Sequence, residues 1–219
     1  MRTFNIAIDG TSGVGKSSAA DLLAQANGMI HLDTGAMYRC VALAMKQAGV
    51  NPDCPEEVSR VLDTVRIRFL GKRVYLNDQE VTDAIRTSEI SNLTSRVAAL
   101  PAVRKAMTSL QQQTTAAGGY IVDGRDIGSV VLPQAPVKIF LSARPEARAR
   151  RRYDEYRQKG IEADYSQILE DIQKRDWQDS HRSTAPLVKA GDAVEIDTSD
   201  MTLDQVTAAI QRLIDAAGK

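Results

Sequence analysis

The chain has 219 residues, of which 43% are hydrophobic and 26% are charged, a balance that fits a folded domain and excludes a disordered chain. Lysine plus arginine and aspartate plus glutamate each number 28, so the net charge indicates neither a nucleic-acid nor a membrane partner. Two cysteines and two histidines exclude a disulfide framework and a Cys/His zinc site.

The same composition indicates where the protein works. Two cysteines, Cys40 and Cys54, suit a reducing compartment. No apolar run approaches the ~20 residues that a membrane span needs, and the first strand begins too close to Met1 to leave room for a signal peptide. We therefore expect a soluble cytoplasmic protein. Because no long exposed apolar stripe is evident, we also expect a monomer.

The first apolar runs alternate with helical repeats. The run "FNIAI" at 4–8 predicts a buried strand, and "MIHLD" at 29–33 predicts a second one. The helix between them has four apolar residues that we expect on one buried face: Ala19, Leu22, Leu23 and Ala26. A further helix is predicted from Gly35 to a stop at Gly49.

The middle of the chain breaks this alternation. The stretch 64–81 repeats apolar residues with period two around Gly71-Lys72, which predicts an antiparallel hairpin inserted between helices. Residues 88–116 are helical again, with an interruption at Pro101.

The last third returns to strands and helices. Strands are predicted at 120–123, 137–141 and 192–197. Two helices are predicted at Pro145–Gly160 and Ser166–Arg182. Thr202 and Gln205 form a capping box that begins a last helix, which ends near Gly218. This order predicts an α/β fold with a doubly wound, five-stranded parallel sheet and helices on both faces. We expect one domain, 1–219, that includes a β insert at about 64–95 and a helical lid at about 145–182.

The stretch "GTSGVGKSS", Gly10–Ser18, follows a strand and opens a helix, and it satisfies G-x-x-x-x-G-K-[ST]. In such a P-loop, backbone N–H groups and the helix N-terminus face polyphosphate oxygens. The lysine reaches the β- and γ-phosphates and the serine hydroxyl binds Mg²⁺. We expect these nine residues to bind ATP: Gly10, Thr11, Ser12, Gly13, Val14, Gly15, Lys16, Ser17 and Ser18.

A P-loop alone leaves the reaction open. A switch GTPase would carry an N-K-x-D element, which is missing here, and a motor or transporter ATPase is normally larger. A small chain with six arginines at 144–157 favours a kinase that acts on a small acceptor. The alternative that is not an enzyme is a regulatory module that binds ATP.

Three polar stretches indicate an acceptor site. Residues 32–39 and 122–128 follow predicted strands, at the sheet edge where ligands of such folds bind. The helix near 166–182 changes from an apolar face to a charged one, and buried charges need partners in the protein or in a ligand. Asp123, at a strand end beside the P-loop, is the residue that we expect to hold Mg²⁺ through water.

Six stretches, in this order, resemble the bacterial cytidylate kinases: "IDGTSGVGKSS", "LDTGAMYR", "SRVAALPAVR", "VDGRDIGSVV", "APVKIFLSA" and "KRDWQDSHRSTAPL". The resemblance covers nearly the whole chain. It implies that ATP, with Mg²⁺, phosphorylates CMP or dCMP. Other acceptors that stay open are UMP, AMP, dTMP and shikimate.

The resemblance also implies roles for single residues. Three arginines would hold the acceptor phosphate: Arg39, Arg125 and Arg182. The cytosine would be bound by Ser95, Arg104 and Asp126. The sugar would be bound by Arg175 and Asp179, and Thr34 would lie near the acceptor. A mobile lid over ATP would carry Arg148, Arg151 and Arg152, which with Lys16 and Arg125 form the predicted catalytic set. The chain departs from the family in having threonine at positions 11 and 34, and the resemblance implies no role for His181.

Overall fold

The computed structural model of the protein describes residues 2–218, which form two compact units. One unit combines the two ends of the chain, up to Leu32 and from Thr115 onward, and the other is Asp33–Thr114. No helix within residues 2–218 has the length and apolar character that crossing a membrane requires.

Within residues 2–218, eight strands and eight α-helices are numbered in chain order. The strands are β1 (Ile6–Gly10), β2 (Ile30–Asp33), β3 (Ile67–Leu70), β4 (Arg73–Leu76), β5 (Gln79–Glu80), β6 (Tyr120–Gly124), β7 (Val137–Ser142) and β8 (Val194–Asp197). The helices are α1 (Lys16–Asn27), α2 (Thr34–Gln47), α3 (Pro55–Thr64), α4 (Ser88–Val97), α5 (Pro101–Thr115), α6 (Pro145–Gln158), α7 (Tyr165–His181) and α8 (Leu203–Ala217).

A five-stranded sheet in the order β2-β6-β1-β7-β8 confirms the predicted doubly wound α/β fold. Strand β1 is central and lies parallel to both β6 and β7, while β8 lies parallel to β7. In this register Ile8 pairs with Asp123 and Asp9 pairs with Gly124. The loop after β1 and the segment after β6 therefore leave the sheet at the same edge.

The core of this unit lies between the sheet and two of its helices. Every residue of β1 is buried, because a central parallel strand is covered on both faces. The apolar faces of α1 and α8 pack against it, and α8 contributes Val206, Ile210 and Ile214 at helical spacing. Burial of a fully enclosed aliphatic side chain stabilises a fold by about 1.5–3 kcal/mol.

The buried face of α1 differs from the predicted one. Leu22 is 43% exposed and Ala26 is also exposed. The helix instead packs through Ala19, Ala20, Leu23 and Ala24. The face is rotated so that the small side chains of Ala19 and Ala20 lie toward the core, whereas Leu22 falls on the solvent side.

Helix α8 begins as the sequence predicts. Thr202 Oγ1 accepts a hydrogen bond from the backbone N–H of Gln205 at 3.3 Å. In return Gln205 Oε1 accepts one from the backbone N–H of Thr202 at 2.9 Å. This capping box satisfies two amides that a helix N-terminus otherwise leaves without partners.

The second unit contains α2 to α5 and a small antiparallel sheet, β3-β4-β5. The predicted hairpin is confirmed, with Ile67 opposite Leu76 and Leu70 opposite Arg73. A short third strand, β5, follows a turn at Asn77-Asp78, where both residues have positive φ. Neither β5 nor helix α3, which begins at Pro55, was expected from the periodicity.

The turn before β6 provides a test of the backbone geometry. Gly118 has φ +74°, and a Cβ there would lie 1.9 Å from the carbonyl oxygen of Thr3. Gly160, after α6, has nearly the same φ, +69°, but a Cβ there would meet no atom within 4 Å. Alanine substitutions at Gly118 and Gly160 therefore separate two effects, because both add the strain of a positive φ but only the one at Gly118 adds a steric overlap.

We expect Gly118→Ala to lower the free energy of unfolding by about 3–5 kcal/mol, since the new methyl group forces the backbone near Thr3 to move. Gly160→Ala, which carries only the strain of the left-handed conformation, should cost about 1 kcal/mol. Urea unfolding of the two variants measures both values. Equal losses would contradict the close approach of the two backbone segments.

Candidate functional site

The P-loop runs from the end of β1 to the start of α1. Gly10 has φ +143°, and a Cβ on it would lie 2.0 Å from the carbonyl oxygen of Leu141 on the neighbouring strand. Only glycine lets the loop leave the sheet this close to β7. Helix α1 begins at Lys16, and none of the side chains that the structure describes caps its free amides. This end of the helix can therefore receive an anion.

The side chain of Lys16 is buried within the loop. Its Nζ donates hydrogen bonds to the carbonyl oxygens of Gly10 at 2.8 Å and Thr11 at 2.6 Å. Burial lowers the pKa of Lys16, and the charges of Arg125 and Arg175 lower it further, against the opposing effect of Asp123 and Asp9. A polyphosphate beside this ammonium group would favour its charged form.

Two hydroxyl groups of the loop point to the same kind of ligand. The hydroxyl oxygens of Thr11 and Ser12 are buried, and within residues 2–218 neither has a hydrogen-bond partner. A buried polar group without a partner costs free energy. Phosphate oxygens, which accept hydrogen bonds, would satisfy both hydroxyls.

Asp123 lies at the end of β6 and contacts the first turn of α1. Its Oδ2 accepts a hydrogen bond from Ser17 Oγ at 2.9 Å, and its Oδ1 lies 2.7 Å from His31 Nε2. Burial raises the pKa of Asp123, but the hydrogen bond and charge of His31, the charge of Lys16 and the hydrogen bond of Ser17 outweigh it. The net pKa is lowered, so the group is a carboxylate at neutral pH.

A second carboxylate, Asp9, organises the segment that follows β6. Its two oxygens accept hydrogen bonds from the backbone N–H groups of Ile127 at 2.8 Å and Gly128 at 2.7 Å. These residues open a single π-helical turn, Ile127–Val131, immediately after Asp126. Asp9 therefore holds Asp126 close to the P-loop, although sequence reasoning gave it no role.

The charged face of α7 has partners inside the protein. Arg125 Nε donates to Asp179 Oδ2 at 2.8 Å, and Arg182 lies 3.9 Å from Asp179 and 4.0 Å from Asp126. Burial raises the pKa of Asp179, but the charges of Arg125, Arg175 and Arg182 lower it by more. The structure thus brings together the five predicted acceptor residues of this unit: Arg125, Asp126, Arg175, Asp179 and Arg182.

The arginines of α6 have different surroundings, although their spacing predicts one shared face. Arg148 is buried and donates to the carbonyl oxygens of Ser12 at 3.2 Å and Ala143 at 2.9 Å, and to Asp176 at 2.5 Å. Arg151 instead donates to the carbonyl oxygen of Thr198, and Arg152 is only partly buried.

The second unit holds the other four residues predicted to bind the acceptor: Thr34, Arg39, Ser95 and Arg104. Thr34 is buried at the start of α2, where Asp33 caps the helix by accepting from the N–H of Ala36 at 2.9 Å. Arg104 is buried on α5, with its guanidinium 5.2 Å from the centre of the Tyr38 ring. This cation–π contact orients Arg104, and sequence reasoning did not find it.

Other known proteins resemble this chain over nearly its whole length. A sequence model of the family described as cytidylate kinase matches residues 6–216. The chain belongs to the cytidylate kinase family. A cytidylate kinase from Fervidobacterium nodosum is 47% identical over 209 residues, which cover 95% of each chain. A cytidylate kinase from Syntrophotalea carbinolica is 46% identical over 97% of this chain and 92% of the relative.

A solved structure supports the fold alone. The crystal structure of an uncharacterized protein from Eubacterium ventriosum is 15% identical and has a TM-score of 0.53, covering 98% of this chain and 99% of the other.

Three residues that belong to the site were missed, and one of them had a signal in the sequence. Asp9 is the one charge in the strand stretch "FNIAID", and a charge that ends a buried strand needs a partner. His31 and Asp176 carried no comparable signal, because their partners are distant in the sequence. The individual roles of the predicted site residues remain predictions.

The environment of Asp9 gives a pH prediction. Burial raises the pKa of Asp9 to about 6, although the N–H groups of Gly128 and Ile127 oppose this shift. A raised pKa means that the folded state binds the proton more tightly than the unfolded state. The stability that the proton contributes is therefore present at low pH and is lost as the pH rises through about 6.

We expect the Asp9 carboxyl to titrate near pH 6 by carbon-13 NMR. Relative to Asp9→Asn, which cannot titrate, the free energy of unfolding should fall by about 2 kcal/mol between roughly pH 4 and pH 7. Urea unfolding across this range measures the difference. A midpoint near the ordinary aspartate value, with a constant difference between the two proteins, would refute the prediction.

Proposed function

We propose that this protein transfers the γ-phosphate of ATP to CMP or dCMP, which gives ADP and CDP or dCDP. The observation that carries the proposal is the P-loop with its buried Lys16, in a chain that belongs to the cytidylate kinase family from residue 6 to residue 216. Curated relatives with this name are 46–47% identical over almost the full chain.

The donor side of the proposal rests on the P-loop. Three features suit the phosphates of ATP: the amides at the start of α1, the ammonium group of Lys16, and the hydroxyls of Thr11 and Ser12, which have no hydrogen-bond partner within residues 2–218. Phosphoryl transfer needs positioning and charge neutralisation more than a strong base. Lys16 and Arg125 are proposed to neutralise the charge that moves with the transferred group. Arg148, Arg151 and Arg152 are proposed to assist from α6.

The residues also suit Mg²⁺. Within residues 2–218, no three or more His, Cys, Asp or Glu side chains are grouped so that they could hold a metal ion. Mg²⁺ is usually held by one or two protein oxygens together with substrate phosphates and water. We propose Ser17, through its hydroxyl, and Asp123, through water, as those protein groups. When bound, the ion would neutralise phosphate charge and orient the transferred group.

On the acceptor side, the roles of single residues follow the family resemblance. In the first unit, Arg125 and Arg182 are proposed for the acceptor phosphate, Asp126 for the base, and Arg175 and Asp179 for the sugar. In the second unit, Arg39 is proposed for the phosphate, Ser95 and Arg104 for the base, and Thr34 for a place near the acceptor. The stretches 64–95 and 145–182 are proposed as an acceptor-side insert and a lid.

The function is tested by ADP release with each acceptor in turn. We expect release to depend on CMP or dCMP and to be much weaker with UMP, AMP, dTMP or shikimate. Release that is independent of any acceptor would contradict the proposal, and so would a preference for one of the other acceptors.

Lys16→Ala should lower turnover by about 10³-fold with the fold intact, because it removes a charge that stabilises the transferred phosphoryl group. The matched control is Lys189→Ala, since Lys189 is an exposed lysine that pairs with Glu195 at 3.1 Å. The control should keep its activity. Near-normal turnover in a folded Lys16→Ala protein would be incompatible with the proposed kinase reaction.

The choice between cytosine and uracil is predicted to depend on Asp126. Cytosine offers an amino donor at N4, whereas uracil offers an acceptor at the same position, and a carboxylate can only accept. If Asp126 faces this position, the wild-type protein should prefer CMP over UMP by about 10²-fold or more in kcat/KM. Asp126→Asn can also donate, so the ratio should narrow, mainly through lost CMP activity.

The measurement compares kcat/KM for CMP and UMP in the wild type, in Asp126→Asn and in Asp171→Asn. Asp171 is an exposed aspartate on α7 and serves as the control. A CMP/UMP ratio that Asp126→Asn leaves unchanged would remove Asp126 from base selection.

A further inference from the structure

His31, on β2, joins two carboxylates. Its Nε2 lies 2.7 Å from Asp123 Oδ1, and its Nδ1 lies 2.7 Å from Asp21 Oδ1. The His31 side chain is 12% exposed and that of Asp123 is 4% exposed, whereas Asp21 is 38% exposed. The bridge therefore runs from the surface of α1 to the buried end of β6.

The two oxygens of Asp123 have separate partners. Oδ1 faces His31, and Oδ2 accepts from the hydroxyl of Ser17 at 2.9 Å. A carboxylate held at both oxygens cannot rotate about its Cβ–Cγ bond without breaking one of these hydrogen bonds. His31 therefore helps to hold the carboxylate in the orientation in which Oδ2 faces Ser17.

The contacts form a closed ring through α1. Ser17 and Asp21 are four residues apart on this helix, so they lie one turn apart on the same face. The ring of contacts passes from Ser17 to Asp123, then to His31, to Asp21 and back along the helix. Asp123 is thus linked to the helix that carries Ser17 both directly and through His31 and Asp21.

We propose that His31 is a positioning residue for the magnesium–nucleotide site. This proposal rests on the proposed function, in which Ser17 and Asp123 face the ion. His31 acts through Asp123 and holds its Oδ1, so that Oδ2 stays directed at the hydroxyl of Ser17. In zinc proteins, groups that orient a metal ligand typically change metal affinity by 10–100-fold when they are removed.

Two polar variants separate the two bonds of the ring. His31→Gln places an amide near the position of Nε2, so it can still donate to Asp123. His31→Asn is shorter, so its amide stays near the position of Nδ1, faces Asp21 and does not reach Asp123. His31→Phe removes both bonds and keeps an aromatic ring at a similar volume.

The test measures two affinities of each purified protein. Calorimetry with EDTA present gives the affinity for ADP without metal. Electron paramagnetic resonance of free Mn²⁺, used in place of Mg²⁺, gives the metal affinity of the protein–ADP complex. We expect His31→Asn and His31→Phe to weaken Mn²⁺ binding by roughly tenfold, with metal-free ADP binding unchanged. His31→Gln should stay within about twofold of the wild type.

Three results would overturn the proposal. The first is a folded His31→Asn or His31→Phe protein whose Mn²⁺ affinity equals that of the wild type. The second is an equal loss of metal-free ADP binding, because a purely structural bridge between β2 and α1 would act in that way. The third is a His31→Gln protein that is as defective as His31→Asn. A wild-type protein that binds no ADP would instead refute the proposed function.

Discussion

The parallel pairing of β1 with β6 and β7 is the constraint on which the candidate site depends. Because parallel strands end at the same edge of the sheet, the P-loop after β1 emerges beside Asp123 and the segment that follows it. Beyond the end of β6, the Asp9 side chain on β1 accepts hydrogen bonds from the N–H groups of Ile127 and Gly128, so the segment after β6 stays attached to β1. A one-residue shift of β1 relative to β6 would turn the Asp9 side chain to the opposite face of the sheet, away from the N–H groups of Ile127 and Gly128.

The second determinant of the site is its balance of buried charge. The Lys16 and Arg125 side chains have little access to water, and each has acidic groups nearby: Asp123 and Asp9 for Lys16, and Asp179 for Arg125. A buried charge without such a neighbour would lose its proton or destabilise the fold. The hydrogen bonds of Lys16 go to carbonyl oxygens, which are weaker partners than an anion. Phosphate groups can therefore improve the environment of the ammonium group.

The sequence predicts the elements of this site better than its internal contacts. The P-loop is local, since nine consecutive residues contain the glycines, the lysine and the serine. The change of α7 from Ile168 and Ile172 to a charged face is also local, because helical spacing shows it. The contacts of Asp9 with Gly128 and of His31 with Asp123 join residues that are 119 and 92 positions apart. Periodicity contains no information about such pairs, which arise only once the strand order is known.

The same limit explains the arginines of α6. Positions 148 and 151 lie on one side of the helix by spacing, but that side meets two different segments of the chain. Arg148 reaches Ser12 in the P-loop and Asp176 on α7, while Arg151 reaches the residues that follow β8. Moving Arg148 would leave the carbonyl oxygen of Ser12 and the Asp176 carboxylate without these hydrogen bonds, which is costly for buried groups. Arg148 therefore ties α6 to the P-loop at Ser12 and to α7 at Asp176.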